Sequence, residues 1–330
     1  MNAYVTLATN DEYALGALVL CESLRRVQTI HQIACMVTKE VSPQMVQLMN
    51  EKFDCIETVD VLNSNDSMNL SLLNRPELGI TFTKLHCWRL TQYSKAIFMD
   101  ADTVVIKNID DIFIDRNEFS AAPDPGWPDC FNTGVFVFTP SLDTYSKIMD
   151  FAFTQGSFDG GDQGLLNSYF STWSTDDIKK HLPFTDNCMS VSFYSYFPAF
   201  VNFFEKIRVV HFIGAKKPWH YDVDSNGRVI FTSDNKGEAN FLNFWWYIFL
   251  DKIKPKLNSN MKFNLSHLGG ICAKMSSYNC TNVVYPQLSM ERMRSSLEHQ
   301  RDWERGVIDY TGADRFSSIQ RKLDESMGKK

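Results

Sequence analysis

The chain has 330 residues, of which 44% are hydrophobic and 22% are charged, a composition typical of an ordinary globular protein. This length allows one substantial catalytic domain with a large buried core, plus additional segments. With 33 basic and 39 acidic residues the formal net charge is −6, which argues against a nucleic-acid partner. Any anion that the protein binds must therefore be held by local groups.

The N-terminal region does not resemble a secretion signal, because charged and polar residues interrupt every apolar run from Met1 to Thr29. The longest apolar cluster, residues 241–250, is too short to span a bilayer. The eight cysteines show no CxxC pair, and several lie in apolar patterns that favour reduced, buried thiols. We therefore predict a cytoplasmic protein without a membrane partner.

Short apolar runs rich in β-branched and aromatic residues alternate with longer segments of helical spacing. The runs predict strands at 3–8, 33–37, 56–61, 96–99, 134–138 and 207–212, and the spacing predicts helices after Asn10 or Asp11, at 41–53 and at 82–92. This alternation predicts βαβ units and an open α/β sheet, in which ligands bind beyond the carboxyl ends of the strands. Neither a GxGxxG nor a GxxxxGK[ST] motif is present, so a dinucleotide fingerprint or a P-loop does not explain the fold.

The pattern changes after about residue 250. Residues 252–285 mix Pro, Asn, Ser, Gly and Lys without sustained periodicity, and two amphipathic segments follow around Val307 and Ile319. We therefore predict three parts. They are a catalytic domain at 1–251, a linker or loosely packed extension at 252–295 and a helical segment at 296–330.

The sharpest local signal is the sequence AIFMDAD at 96–102, where a predicted buried strand ends in Asp100 and Asp102. Residues i and i+2 of an extended chain point to the same side, so both carboxylates can face one cation. A bare DxD pair is more often a solvated turn or a helix cap. Because apolar sequence precedes and follows this pair, we interpret it as a divalent-metal site that holds a diphosphate.

His211 belongs to another apolar run, at 207–212, where a histidine is more often a satisfied core residue than a ligand. Gly214, Lys216 and Lys217 follow it, a glycine turn with cations of the kind expected near phosphate oxygens. Two carboxylates and one neutral imidazole suit Mn²⁺ better than Mg²⁺, which prefers an all-oxygen shell. Such a metal would stabilise a departing nucleotide diphosphate as a Lewis acid.

Two further clusters are rich in polar and turn residues, DPGWPDCFNTG at 124–134 and SFDGGDQG at 157–164. Each alone is consistent with a surface turn. In the second cluster Asp159 and Asp162 flank paired glycines, where backbone can approach a sugar closely and carboxylates can hold its hydroxyls. We therefore interpret residues 157–164 as a candidate sugar-binding loop.

With these motifs in view, the chain resembles the glycogenin family, which comprises retaining transferases of the GT-A fold that use a UDP-sugar. The resemblance extends over nearly the whole chain in conserved order and spacing. The matching blocks are 5–10 (VTLATN), 75–79 (RPELG), 83–88 (TKLHCW), 98–103 (FMDADT), 124–129 (DPGWPD), 156–164 (GSFDGGDQG), 194–200 (YSYFPAF), 210–212 (VHF) and 309–314 (DYTGAD). The resemblance implies a single Rossmann-like mixed sheet flanked by helices, with a C-terminal helical extension.

The resemblance also implies roles for individual residues. The implied Mn²⁺ ligands are Asp100, Asp102 and His211, and the implied catalytic residues are Asp162, Lys84 and Tyr194. The implied UDP-glucose contacts are Leu7, Thr9, Asn10 and Tyr13 around the uridine, Lys217 near the diphosphate, and Asn132, Thr133, Asp159, Asp162 and Gln163 around the glucose. Arg75, Lys84, Ala101 and Gly214 are further implied contacts of the same ligand. Thr133 stands where serine is common and keeps the hydroxyl group.

Tyr194 corresponds to the self-glucosylated acceptor of the family, although composition alone would favour an ordinary aromatic residue. The implied reaction transfers glucose from UDP-glucose to Tyr194 and then extends an α-1,4-glucan primer, with retention of anomeric configuration. Phe193 and Phe197 stand where aliphatic residues are frequent. Asp162 acts either as a transient nucleophile or as a group that positions acceptor or sugar in a front-side mechanism.

The C-terminal segment 296–330 resembles the docking segment of the family for glycogen synthase. A helix packed against its own domain is the alternative for this segment. The resemblance also implies a homodimer. Two other functions stay open at this stage: another UDP-sugar transferase of the same fold, and a non-catalytic scaffold that recruits glycogen synthase.

Overall fold

The computed structural model describes residues 1–73, 75–116, 118–191, 196–224, 227–230 and 236–257, together with Arg301. The chain divides into two units, Met1–Pro286 and Gln287–Lys330, and every described residue except Arg301 belongs to the first. Tyr194 and nearly all of the predicted docking segment lie outside the described residues. The predictions made for them therefore remain predictions.

Two β-sheets form the framework of the described region. The strands are β1 (Asn2–Ala8), β2 (Gln32–Val37), β3 (Cys55–Thr58), β4 (Lys95–Met99), β5 (Thr103–Val105), β6 (Ser120–Pro123), β7 (Phe131–Phe138), β8 (Cys188–Met189) and β9 (Val209–His211). The larger sheet has the order β3-β2-β1-β4-β7-β6, and the smaller one has the order β5-β9-β8. In the larger sheet β3, β2, β1 and β4 are parallel, whereas β7 runs antiparallel to both of its neighbours. A mixed α/β sheet was predicted, and the structure confirms it.

Helices flank the larger sheet. They are α1 (Asp11–Arg26), α2 (Pro43–Asn50), α3 (Ser67–Leu73), α4 (Ile112–Asp115), α5 (Leu142–Gln155), α6 (Asp162–Tyr169), α7 (Phe197–Phe203) and α8 (Lys236–Ile248). Asn10 caps α1, as its side-chain oxygen accepts a hydrogen bond from the Tyr13 amide at 3.0 Å. Among the helices of the described residues, none combines the length and the apolar character needed to cross a bilayer.

The prediction of an α-helix at 82–92 is wrong, because residues Pro76–Arg89 form a 3₁₀-helical segment instead. Two threonine hydroxyls in this segment donate hydrogen bonds to backbone carbonyls, Thr81 to Leu78 at 2.6 Å and Thr83 to Leu62 at 3.3 Å. The Thr81 bond is local, and local side-chain bonds and β-branched side chains both disfavour the α-helix, whereas the Thr83 bond ties the segment to a distant part of the chain. The periodicity of apolar residues in the sequence did not reveal that side-chain hydrogen bonds would compete with those of an α-helix.

The main core lies against the larger sheet and is rich in aromatic rings. Trp88 stacks on Phe136 with ring centroids 5.5 Å apart, and Phe98 stacks on Phe136 at 5.1 Å. These residues are fully buried. Because β4 and β7 both contribute rings to this cluster, packing fixes the strand that ends at the candidate site and the strand that begins there.

The smaller sheet joins two distant parts of the sequence. Strand β5 begins directly after Asp102 and pairs antiparallel with β9, where Thr103 lies opposite His211. The Phe212 amide donates a hydrogen bond to the Asp102 carbonyl at 2.9 Å. The backbone ladder therefore brings His211 next to the DxD pair.

Helix α8 continues into a π-helical turn, Phe249–Ile253, and a 3₁₀ turn, Lys254–Lys256. Ile253 is buried, so the first residues of the predicted linker pack with the domain. The rest of the predicted linker, from residue 258 onward, lies outside the described residues. Within the described part of the chain no cysteine forms a disulfide.

Candidate active site

A cavity of about 590 Å³ opens where β1 and β4 end and β7 begins. All of the residues predicted to bind UDP-glucose or metal line this one cavity, namely Leu7, Thr9, Asn10, Tyr13, Arg75, Lys84, Asp100, Ala101, Asp102, Asn132, Thr133, Asp159, Asp162, Gln163, His211, Gly214 and Lys217. Its volume is in the range of sites that hold a nucleotide-sized ligand. Tyr194 is the one predicted site residue outside the described residues.

Three potential metal ligands converge in this cavity. One donor atom each from Asp100, Asp102 and His211 lies within 4.8 Å of the other two. The Nε2 atom of His211 lies 3.3 Å from Oδ1 of Asp102 and 4.0 Å from Oδ2 of Asp100. Two carboxylates and one imidazole around one point fit a divalent cation.

The two carboxylates differ in their protonation behaviour. Burial raises the pKa of Asp100 above its ordinary value, despite the nearby Lys84. Burial acts in the same direction on Asp102, but the charge of Lys217, which contacts it, holds the pKa of Asp102 below its ordinary value. Asp102 is therefore the more firmly ionised of the two.

Two buried lysines compensate the acidic side chains. The Lys84 Nζ lies 2.7 Å from Asp162 Oδ2 and 3.0 Å from Asp100 Oδ1, and it donates to the Thr133 carbonyl at 3.1 Å. Burial alone would lower the pKa of Lys84, but the two carboxylates raise it above its ordinary value. Lys84 thus stays charged and links Asp100, one of the three potential metal ligands, to Asp162.

Lys217 forms the second compensating pair. Its ammonium contacts Asp102 directly and donates a hydrogen bond to the Phe212 carbonyl at 3.2 Å. The 3₁₀ turn Pro218–His220 that follows is held by Trp246, whose indole N–H donates to the Pro218 carbonyl at 3.1 Å. Lys217 is therefore fixed at the edge of the cavity, where a diphosphate would meet a positive charge.

On the opposite side of the cavity, amide groups form a connected network. The Asn132 Nδ2 donates to Gln163 Oε1 and to Asp124 Oδ2, both at 3.1 Å, and the Gln163 Nε2 donates to the same Asp124 oxygen at 3.1 Å. Asp124 also accepts from the Gly126 amide at 2.8 Å, which fixes the preceding turn. These polar groups offer hydrogen bonds of defined direction to sugar hydroxyls.

The loop before α6 is held together by Asp159. Its Oδ1 accepts hydrogen bonds from the Ser157 hydroxyl, the Gly161 amide and the Gly164 amide at 2.8, 2.8 and 3.0 Å. Burial raises the pKa of Asp159 despite these bonds. The hydrogen bonds of Asp159 therefore fix the conformation of this loop, which leads to Asp162 in the first turn of α6.

At the nucleotide end, Tyr13 and Arg75 face the cavity. The Tyr13 ring packs edge-on against Trp219, with centroids 5.2 Å apart. Burial and the charges of Asp102 and Asp100 raise the pKa of Tyr13, so its phenol stays neutral. A neutral, fixed aromatic ring at this position is suited to contact with a planar base.

Replacing Gly134 by alanine is expected to disturb the metal ligands, because a Cβ atom at this position would lie 2.2 Å from Cε1 and 2.4 Å from Nδ1 of His211. We expect a loss of about 1–3 kcal/mol in the free energy of unfolding, measured with urea. In the control Gly161→Ala the new Cβ comes no closer than 3.6 Å to a neighbour. Equal stability of the two variants would contradict the proposed crowding.

The sequence also matches known proteins. The profile of glycosyl transferase family 8 matches residues 4–223. Glycogenin-1 of Mus musculus is 48% identical, with 98% of this chain and 98% of that protein covered. Glycogenin-1 of Homo sapiens is 47% identical with the same coverage of both chains, 98% and 98%. The chain belongs to the glycogenin family. Membership confirms the predicted family and the glucosyltransferase function.

Among solved structures, the glycosyltransferase GlyE of Streptococcus pneumoniae is similar, with a TM-score of 0.48 and 17% identity, covering 75% of this chain and 63% of that chain.

The sequence analysis of this glycogenin-family chain missed several site residues. Asp124 lies in a cluster that was noted but assigned no role. Thr81, which accepts a hydrogen bond from the Asp162 amide at 3.0 Å, lies just before the wrongly predicted helix, in the observed 3₁₀ segment. Asn187, which contacts His211, has no neighbouring motif that marks it. Only the fold brings Thr81 and Asp124 to the cavity and Asn187 behind His211, so the types and spacing of these residues carried no usable signal.

Proposed function

We propose that this glycogenin-family chain transfers glucose from UDP-glucose to its own Tyr194 and then extends an α-1,4-linked glucan with retention of configuration. The observation that carries the proposal is the convergence of Asp100, Asp102 and His211 in a nucleotide-sized cavity beside Lys84 and Lys217. We propose Mn²⁺ as the metal that the three ligands hold. Bound there, it would supply Lewis-acid stabilisation of the negative charge on the departing UDP.

The residues of the chain supply binding and orientation. Tyr13 and Asn10 line the end of the cavity proposed for uridine, and Lys217 lies where the diphosphate must pass. Since Lys217 is already charged and fixed by its pair with Asp102, no reorganisation is required when negative charge develops on the leaving group. Preorganised cations of this kind stabilise the transition state more than the ground state.

Asp159, Asn132 and Gln163 are proposed to hold the glucose, with Asp162 nearest to the reacting carbon. Lys84 holds the Asp162 carboxylate at 2.7 Å and restricts its orientation. This arrangement is compatible with Asp162 as a nucleophile and with Asp162 as a positioning group. A phenol with an ordinary pKa of about 10 is mostly protonated at neutral pH, so a group must accept the Tyr194 proton during transfer. A phosphate oxygen of the departing UDP is one such acceptor.

The direct test is incubation of the full chain with UDP-glucose and Mn²⁺, followed by intact-mass spectrometry and peptide mapping of the sugar. The proposal expects a series of hexose additions that all map to Tyr194. It also expects that Mn²⁺ supports faster transfer than Mg²⁺, because one ligand is an imidazole nitrogen. Hexose on a different residue would contradict the assignment of the acceptor.

A non-catalytic scaffold is the other function that the sequence left open. Lys84 and Lys217 form buried ion pairs with the carboxylates of the site. Burial of several charges is destabilising, and a protein that acts only as a scaffold does not require it, so these pairs favour catalysis. Metal-dependent hydrolysis of UDP-glucose distinguishes the two, because a scaffold would show none.

We further propose that residues 296–330 dock onto glycogen synthase, that the chain forms a homodimer and that it is cytoplasmic. Deleting Trp303 and all later residues is expected to leave glucosyl transfer unchanged, because every residue predicted to bind metal or UDP-glucose precedes residue 218. The same deletion is expected to abolish co-purification with glycogen synthase. Unchanged co-purification would show that the segment is not the docking site.

A further inference from the structure

Asn187 is completely buried behind the metal ligands and immediately precedes β8. Its side-chain oxygen lies 3.0 Å from Nδ1 of His211, and its side-chain nitrogen lies 2.9 Å from Oδ1 of Asn132. One amide group therefore joins a metal ligand to a residue of the sugar-side network. No role has so far been given to this contact.

The direction of the hydrogen bonds follows from one backbone group. The Gly134 N–H can only donate, and it donates to Oδ1 of Asn132 at 2.9 Å. The group of Asn187 that faces the same oxygen must then be its NH₂, since two carbonyl oxygens would repel each other. Consequently the Asn187 oxygen faces His211, where it can only accept, and Nδ1 of His211 must carry a hydrogen.

This direction fixes the tautomer of the imidazole. When the ring is neutral, its single proton lies on Nδ1 and the lone pair lies on Nε2. Nε2 is the atom that faces Asp102 and Asp100, at 3.3 and 4.0 Å. Nε2 of His211 and the carboxylate oxygens of Asp100 and Asp102 thus direct lone pairs toward one another. A cation between them can accept all three lone pairs.

The backbone around Asn187 is held rigidly. The neighbouring Asp186 forms a bidentate pair with Arg208, with nitrogen–oxygen distances of 2.6 and 2.5 Å. Arg208 directly precedes β9, which ends at His211. Asn187 and His211 therefore belong to two neighbouring segments. The Asp186–Arg208 ion pair and the pairing of β8 with β9 hold these segments together.

We propose that Asn187 is a positioning residue that presents Nε2 of His211 as a ligand atom for a divalent cation. The relay from Gly134 through Asn132 and Asn187 determines which ring nitrogen is available. The inference rests on the proposed function for the identity of the bound ion, but the tautomer can be measured without any metal. Outer-sphere partners of metal-bound histidines commonly change metal affinity by roughly 10- to 100-fold.

The first experiment is ¹⁵N NMR of the metal-free full chain labelled at histidine, at a pH of about 8.5, where an ordinary imidazole is neutral. The His211 signals are assigned by their loss in His211→Asn. We expect a protonated Nδ1 and an unprotonated Nε2 in the wild-type protein. A wild-type ring with its proton on Nε2 would overturn the proposal directly.

The second experiment measures the dissociation constant of Mn²⁺ in the presence of UDP by calorimetry. Asn187→Leu removes the acceptor and is expected to raise this constant by roughly 10- to 100-fold. Asn187→Asp keeps an oxygen acceptor for His211 and is expected to change it by no more than a few-fold, while it raises KM for UDP-glucose because the donor to Asn132 is lost. Unchanged Mn²⁺ affinity in Asn187→Leu would overturn the positioning role.

A matched control separates positioning from general destabilisation. Ser190→Ala removes another buried hydrogen bond nearby, from the Ser190 hydroxyl to Glu238 at 3.0 Å, without touching the relay. It is expected to reduce stability while leaving the tautomer and the Mn²⁺ affinity unchanged; an equal loss of affinity would refute a specific role for Asn187. If the wild-type protein bound no Mn²⁺ but carried the Nδ1 proton, the proposed metal would be wrong and the relay would stand.

Discussion

Replacing Asp102 by asparagine is expected to reduce glucosyl transfer by roughly 10²- to 10³-fold, because the loss of a charged metal ligand removes several kcal/mol of transition-state stabilisation. The substitution also leaves the buried Lys217 without the carboxylate that it contacts. Breaking a buried ion pair in this way costs about 3–5 kcal/mol of stability. Transfer rates are therefore to be compared at a temperature where circular dichroism shows that the variant is folded.

The matched control for this prediction is Asp143→Asn. Asp143 pairs with Lys147 at 2.6 Å, but the two side chains are 71% and 62% exposed. Exposed pairs contribute about 0–1 kcal/mol, so neither stability nor transfer should change appreciably. Full transfer activity in folded Asp102→Asn would contradict the role of Asp102 as a ligand.

Replacing Tyr194 by phenylalanine is expected to abolish self-glucosylation completely, because phenylalanine has no hydroxyl group to form the glycosidic bond. Transfer to an added maltoside should survive, since the donor cavity is unchanged. After addition of UDP-glucose and Mn²⁺, the intact mass of the chain measures self-glucosylation, and the mass of the added maltoside measures transfer to it.

Tyr196→Phe is the control for the acceptor prediction, since Tyr196 lies two residues away in the same YSY sequence and is 68% exposed. This variant should retain the complete hexose series of the wild-type chain. A series that persists in Tyr194→Phe and disappears in Tyr196→Phe would transfer the acceptor role to Tyr196.

The sequence was sufficient to locate the DxD pair, because strand composition and the spacing of charged residues are local properties. The assignment of His211 as a ligand depended on the family resemblance, since its local sequence favours a core residue. It also indicated where the main strands lie along the chain, although β3 ends at Thr58 rather than at residue 61. It did not reveal the short strands β5, β6 and β8, which have only two to four residues and depend on their partners for hydrogen bonds. Such segments have too few residues to show a period.

The contribution of Asn187 illustrates why part of the site escaped prediction. An asparagine in a turn usually satisfies its own backbone, and nothing in the local sequence distinguishes this one. Its function depends on the Gly134 amide and the His211 ring, residues 53 positions before it and 24 after it. Hydrogen bonds between residues so far apart in the sequence, and the direction of those bonds, are defined only in the folded chain.

The ladder between β5 and β9 has a consequence for local opening of the protein. Because the Asp102 carbonyl and the Phe212 amide belong to the same hydrogen bond, fraying of this small sheet would displace an aspartate ligand and the histidine ligand in a single event. Release of an ion from this position and transient unzipping of the three short strands are thus thermodynamically linked. A bound ion would shift that equilibrium toward the closed form and slow hydrogen exchange of the Phe212 amide.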